Sequence, residues 1–129
     1  MAQVRTGTET VPPQAIEAEM AVLGAMMLDR DAIAQALEIL DDSCFYLSQN
    51  ARIFNGIVSI YDRNEAVDLI TLTNEFKTRG ELEAIGGAVY LENVLGSVAT
   101  SASIEHHAKI VLEKGTLRKM IEASTQIIS

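Results

Sequence analysis

Few side chains in this sequence are spaced for chemistry, and each candidate group has an ordinary alternative. His106 and His107 are adjacent. On a helix they point about 100° apart, so they cannot grip one metal ion as an i, i+4 pair can. Glu113 is too far along to complete such a site with either. Glu17 and Glu19, two apart on a helix, also diverge and do not form an acid–base pair of carboxylates. Asp41-Asp42 reads as a solvated loop. Cys44 is the single cysteine, so no internal disulfide can form, and no basic neighbour in sequence activates it. It reads as a buried or half-buried thiol in a reducing compartment. Gly80, Gly86 and Gly87 are not followed by Lys-Ser or Lys-Thr, so the phosphate-cradling P-loop pattern is absent and the segment reads as a helix stop and restart. Lys109, Lys114, Arg118 and Lys119 form the only basic cluster. It could meet an acidic partner or a phosphate, but is read first as the wet face of an amphipathic helix.

Charge and composition narrow the field. Ten basic residues face eighteen acidic ones, a net charge of −8. Non-specific affinity for a phosphate backbone comes from clustered Lys and Arg, so the whole module is not a nucleic-acid-binding surface. Tryptophan is absent and aromatics are 5%, so aliphatic residues and Met must fill the core, which suits helix-on-helix packing. No apolar run approaches the length of a membrane span, and there is no apolar signal core at the N-terminus. A cytoplasmic, soluble protein with no membrane partner is the expectation.

The elements follow from periodicity and caps. Residues 1–11 are polar, Thr-rich and aperiodic, and are read as a disordered arm. Pro12-Pro13 fixes an extended approach to a first helix over Gln14–Leu28, with Ile16, Met20, Leu23 and Met27 as its apolar stripe. Ala18, Ala21 and Ala25 run beside it with Gly24. A mid-helix Gly costs about 1 kcal/mol against Ala, so close approach of a neighbouring helix is expected there. Asp29 caps a second helix carrying Ile33, Ala36, Leu37 and Leu40, and Phe45 and Tyr46 tuck under the bundle. Ser48 caps a third helix with Ile53, Ile57 and Ile60 inward, ended by Asn64. Asp68 caps a fourth with Leu69, Leu72 and Phe76 inward, ended by Gly80. A fifth, after Gly86-Gly87, carries Val89, Tyr90, Val94 and Leu95 and stops at Gly96. The β-branched run Ala66–Thr73 reads as turn plus helix, and no strand is expected.

A last helix from Ile104 runs to the end of the sequence. Ile104, Ala108, Val111 and Leu112 supply its first apolar part; Leu117, Met120, Ile121, Ile127 and Ile128 its second. Such a stripe either folds back on the bundle, meets a helix of another chain, or awaits the next helix of a longer protein. Val111, Leu117, Met120, Ile121, Ile127 and Ile128 are the candidate oligomerisation residues. No catalytic, cofactor-binding or metal-ligating residue is assigned.

The order of these landmarks resembles the N-terminal domain of the DnaB-type bacterial replicative DNA helicases. Pro12-Pro13-Gln14, Glu17-Ala18-Glu19 and Val22-Leu23-Gly24 are similar to the family's opening. Phe45-Tyr46, Ile53-Phe54, Val67-Asp68, Thr71-Leu72, Gly86-Gly87 and Tyr90-Leu91 continue it. Ile104, Ala108, Ile110-Val111, Glu113-Lys114 and Arg118 complete it over Pro12 to Ile121. Ala66 stands where the family usually has Pro, and His107 where Tyr is common. Gly115 replaces Ala or a larger residue and is expected to weaken or bend the last helix.

The resemblance implies an all-α fold of about six helices: a globular head (residues 12–100) leading into the first arm of a helical hairpin (101–129). It implies self-assembly as dimers, with a trimer of dimers forming the collar of the full-length hexamer. It also implies an interaction with primase, leaves a helicase loader as a further partner, and places DNA contacts mainly in another domain. Mg-ATP and unwinding would belong to that second, ATPase domain, so this chain would need no cofactor and would be a non-catalytic fragment. A free-standing helical adaptor or regulator, or an enzyme with an unseen site, stays open beside it.

Overall fold

The computed structural model describes residues 11–128, and the expected arm over 1–11 lies, apart from Val11, outside them. Among the described residues there are six α-helices and no strand: α1 (Ile16–Leu28), α2 (Arg30–Ile39), α3 (Ser48–Asp62), α4 (Leu69–Arg79), α5 (Gly87–Gly96) and α6 (Ile104–Ile128). One 3-10 turn, Asp42–Cys44, stands between α2 and α3.

α1 is the axle. Every residue from Ala21 to Met27 is buried, and α2, α3, α5 and α6 all pack against it. The expected single stripe was too narrow. Ile16 and Met20 are only half-buried, while Val22, Ala25 and Met26, off that stripe, are enclosed. A helix apolar all round belongs inside a bundle, and here the small Ala and Gly faces admit neighbours on the remaining sides. Gly24 shows the closeness: a Cβ there would stand 2.6 Å from the carbonyl oxygen of Val94 and 2.9 Å from Val98 Cγ2.

Asp29 ends one helix and begins the next. Its backbone N–H donates to the Ala25 carbonyl, and its carboxylate accepts the Asp31 N–H at 3.0 Å. The other carboxylate oxygen accepts the Ser101 hydroxyl at 2.9 Å, which ties the α5–α6 connection to this corner. α3 ends at Asn64, whose φ of 64° is left-handed. Arg30 closes that end: it donates to the carbonyls of Glu65 (2.8 Å) and Tyr61 (3.3 Å) and lies 4.6 Å from the centre of the Tyr61 ring. A cation suits the negative end of a helix dipole, and the ring face adds to it. Asp68 caps α4 by accepting the Thr71 N–H at 2.8 Å, and Gly80 ends it at φ 69°.

One cap and the burial of some apolar positions differ from expectation. Ser48 is the first residue of α3 rather than its cap; Leu47 holds that position and supplies no side-chain bond. Val89 is 67% exposed, and Leu91 with Val94 is buried instead, because α5 starts at Gly87 with that register turned inward. Phe45 is buried against Phe54, ring centres 5.1 Å apart, but Tyr46 is exposed at the surface.

α6 runs unbroken through Gly115. Ile104, Ala108, Val111 and Gly115 are buried in the same core as α1 and α2, so the core continues past residue 100 into this helix. Gly115 lies against the 3-10 turn, where a Cβ would stand 3.0 Å from Cys44 Cα and 3.1 Å from its carbonyl oxygen. Close packing, rather than a bend, is what this glycine provides.

Candidate interaction surface

On a helix of 3.6 residues per turn, Ile104, Ala108, Val111 and Gly115 fall within about 60° of one another. That face is the one α6 buries in the head. Leu117, Met120, Ile121 and Ile127 fall within an arc of about 120°, centred about half a turn away from it. The apolar side of α6 therefore changes over between Gly115 and Leu117. Because the helix is continuous, the second stripe points away from the surface that holds the first.

Burial follows that geometry. Met120 is 60% exposed, Ile121 53% and Ile127 85%, with Leu117 less so. Every residue from Lys119 to Ile127 is exposed, so the end of α6 projects beyond the head as an arm. Val111 is 1% exposed. Of the five candidate residues whose side chains are described, it alone lies on the inward face, where its apolar surface is already covered by the chain's own core. The side chain of Ile128 lies outside the described residues.

The other candidate groups do not gather. His106 and His107 have ring centres 5.8 Å apart, and among the described residues no three His, Cys, Asp or Glu side chains could hold a metal ion. Of the four basic residues of α6, Lys114 and Arg118 share a side at i, i+4 spacing, while Lys109 and Lys119 lie on other sides. Lys109 pairs with Glu105 at 3.4 Å, both exposed, and Lys119 donates to Ser43 Oγ at 2.9 Å. Arg118 is hydrogen-bonded to backbone carbonyls of the head. Cys44 is buried, its thiol donates to Asp41 at 3.7 Å, and burial pushes its pKa up. A thiol held protonated is a poor nucleophile.

One polar cluster was missed from the sequence. Glu19, on α1, is 1% exposed, and Asn50, on α3, is fully buried. The Glu19 carboxylate accepts the Tyr46 N–H at 2.6 Å, the Leu47 N–H at 3.5 Å and the Asn50 side-chain amide at 2.9 Å. Tyr90, on α5, donates its hydroxyl to Asn50 Oδ1 at 2.6 Å, and burial raises its pKa. Glu19 thus supplies, from another helix, the acceptor that the start of α3 lacks. Glu17 is exposed, so the two carboxylates diverge as their spacing requires. The signal was an acidic residue amid small apolar neighbours in a helix otherwise destined for the interior. Its donors, about thirty positions away, were not legible. Glu19 and Asn50 at the centre of the cluster are closed to solvent and position elements, whereas the arm carries a row of exposed apolar side chains.

Comparison with known proteins places this geometry. The model of the family described as DnaB-like helicase N terminal domain matches residues 11–113. The Replicative DNA helicase DnaB of Rhodothermus marinus is 48% identical over 118 residues, which are 92% of this chain but 12% of that protein. The chain thus spans about an eighth of that relative's length. The crystal structure of the N-terminal domain of DnaB helicase from Mycobacterium tuberculosis superposes with a TM-score of 0.89 at 41% identity, covering 92% of this chain and 86% of that one. A structure described as that of a DnaB-like replicative helicase and its interactions with primase gives a TM-score of 0.75 at 26% identity, over 88% of this chain and 27% of that one. No helix among the described residues is long and apolar enough to cross a membrane. The family model and the backbone comparison each cover most of the chain, and the chain belongs to the family of DnaB-like helicase N-terminal domains.

Proposed function

We propose that this chain is the assembly domain of a bacterial replicative DNA helicase, working by presenting the arm of α6 to another helix. The observation that carries this is the half-turn change of apolar face along α6. A helix that buries one side in its own head and offers the other to solvent is built to join two bodies. Leu117, Met120, Ile121 and Ile127, with Ile128 beyond them, form the pairing seam. Burying an aliphatic side chain of this size is worth roughly 1.5–3 kcal/mol before ordering costs, so several are needed for a stable contact.

In the assembled helicase the seam pairs subunits, and pairs join as a trimer of dimers into a collar. Primase is proposed as the second partner, supported by the primase complex named for the structural relative, and a helicase loader as a third. The 129 residues contain no P-loop, so Mg-ATP hydrolysis and unwinding would be done by another part of the helicase, in the bacterial cytoplasm.

The test is sedimentation equilibrium over a concentration series. Self-association is expected for the parent chain and a clear loss of it for Ile121→Asp, with helicity by circular dichroism unchanged. A mass that Ile121→Asp does not alter at matched concentration removes the seam. The outward direction of the stripe also separates this reading from a free-standing adaptor with its last helix folded home, which predicts a monomer at every concentration.

A further inference from the structure

The arm leaves the head at Arg118, beside Lys119, which donates to Ser43 Oγ at 2.9 Å. Arg118 Nη1 donates to the Pro13 carbonyl at 2.7 Å, and Nη2 donates to the Cys44 carbonyl at 2.8 Å. Its guanidinium carbon lies 5.5 Å from the centre of the Tyr46 ring. One planar side chain thus joins three segments: α6, the turn before α3, and the strap Val11–Pro13 that precedes α1.

The two anchors differ in kind. Cys44 is buried and Tyr46 is held by Glu19, so the Cys44 carbonyl is part of the fixed head. The strap lies at the surface, with Val11 and Pro12 exposed. It runs beside α6, and together Val11, Pro12, Pro13, Arg118, Ile121 and Glu122 line a cleft of about 410 Å³. Beyond Arg118 the helix extends about 15 Å with no other part of the head enclosing it. A small rotation at the grip is magnified at the tip. The absent Cβ of Gly115 lets α6 approach the Cys44 backbone closely enough for the fork to reach.

We propose that Arg118 is a latch that fixes the direction of the α6 arm on the head and couples it to the strap Val11–Pro13, so that displacing the strap loosens the arm. A guanidinium suits this role because its rigid fork holds two acceptors at once, whereas an ammonium on a flexible stem is a point donor. The orientation itself is a property of the single chain. Its consequence for assembly, an arm aimed correctly at its partner, rests on the pairing role proposed above.

The experiment is a spin-label distance measurement on the full chain, with labels at Arg52→Cys on α3 and Ser124→Cys on the arm, in a Cys44→Ala background. Dilution with unlabelled protein ensures that only distances within one chain are read. A narrow distribution is expected for the parent, and one about twofold wider for Arg118→Met, which keeps much of the apolar stem but loses the fork. Pro12→Gly combined with Pro13→Gly, which slackens the strap, is expected to broaden it as well. An unchanged width in Arg118→Met at parental helicity overturns the latch. Should that variant fail to fold, Arg118→Lys decides: a parental width overturns the latch, a broadened one supports it. Parental width in the double-glycine variant overturns the coupling to the strap. Failure of the pairing seam would appear only in the sedimentation mass, leaving these widths unaffected.

Discussion

The carboxylate of Glu19 and the side-chain amide of Asn50 meet 2.9 Å apart in the interior, joining the axle helix α1 to the first turn of α3. Around that contact the amide N–H groups of Tyr46 and Leu47 and the hydroxyl of Tyr90 complete a network spanning three helices and a loop. Removing the carboxylate would strand several buried donors together. Glu19→Ala is expected to cost about 3 kcal/mol, since each unsatisfied buried group costs roughly 1–3 kcal/mol. Glu19→Gln should fall between that variant and the parent, because it keeps one acceptor oxygen but sets an amide among donors. Urea unfolding checks both, and an alanine variant as stable as the parent would show the network to be dispensable.

Gly24 offers a contest between two effects of opposite sign. Alanine gains about 1 kcal/mol of helix propensity over glycine. Its Cβ, however, would stand 2.6 Å from a backbone oxygen of α5, an atom with no rotamer to move into. Overpacking of this kind costs about 1–3 kcal/mol, so Gly24→Ala should be destabilising on balance. A raised melting temperature would contradict the close α1–α5 contact.

The α4 cap makes stability depend on acid. The backbone hydrogen bond from Thr71 holds the Asp68 carboxyl below its ordinary value of 3.8. A folded-state pKa depressed in this way gives stabilisation that is fully present above the unfolded value and is lost as pH falls through the folded one. Asp68→Asn, which can still cap, should therefore flatten part of the acid limb of a stability–pH curve below about pH 4. Asp68→Ala should cost about 1 kcal/mol at neutral pH. Identical acid limbs for the parent and Asp68→Asn would show that this cap is not the source.

The two faces of α6 should respond oppositely to truncation. Val111→Ala opens space in a filled core and should cost about 1–3 kcal/mol of folding stability. Ile127→Ala touches an exposed tip and should change stability by less than about 0.5 kcal/mol while weakening self-association. Thermal melts and sedimentation, run on both variants, read the two effects separately. Val111→Ala weakening association without loss of stability would reverse the assignment of faces.

The sequence by itself determined the helices and most of their ends. As helix caps and stops, Asp29, Asn64, Asp68, Gly80 and Gly86-Gly87 act on backbone within a few residues of themselves, so those roles could be read locally. The same is true of the missing P-loop, and of the order of landmarks that resembles the helicase domain. Tertiary structure decided what depends on distance along the chain. Four helices converge on α1, so burial there extends all round rather than along one stripe. Glu19 found its donors at Tyr46 and Asn50, and Arg118 found the Pro13 and Cys44 carbonyls about a hundred and about seventy residues away. Val111 and Ile127 looked alike as apolar positions of one helix. Only the placement of the head against one side of α6 separated them, because periodicity fixes which residues share a face and not what covers it.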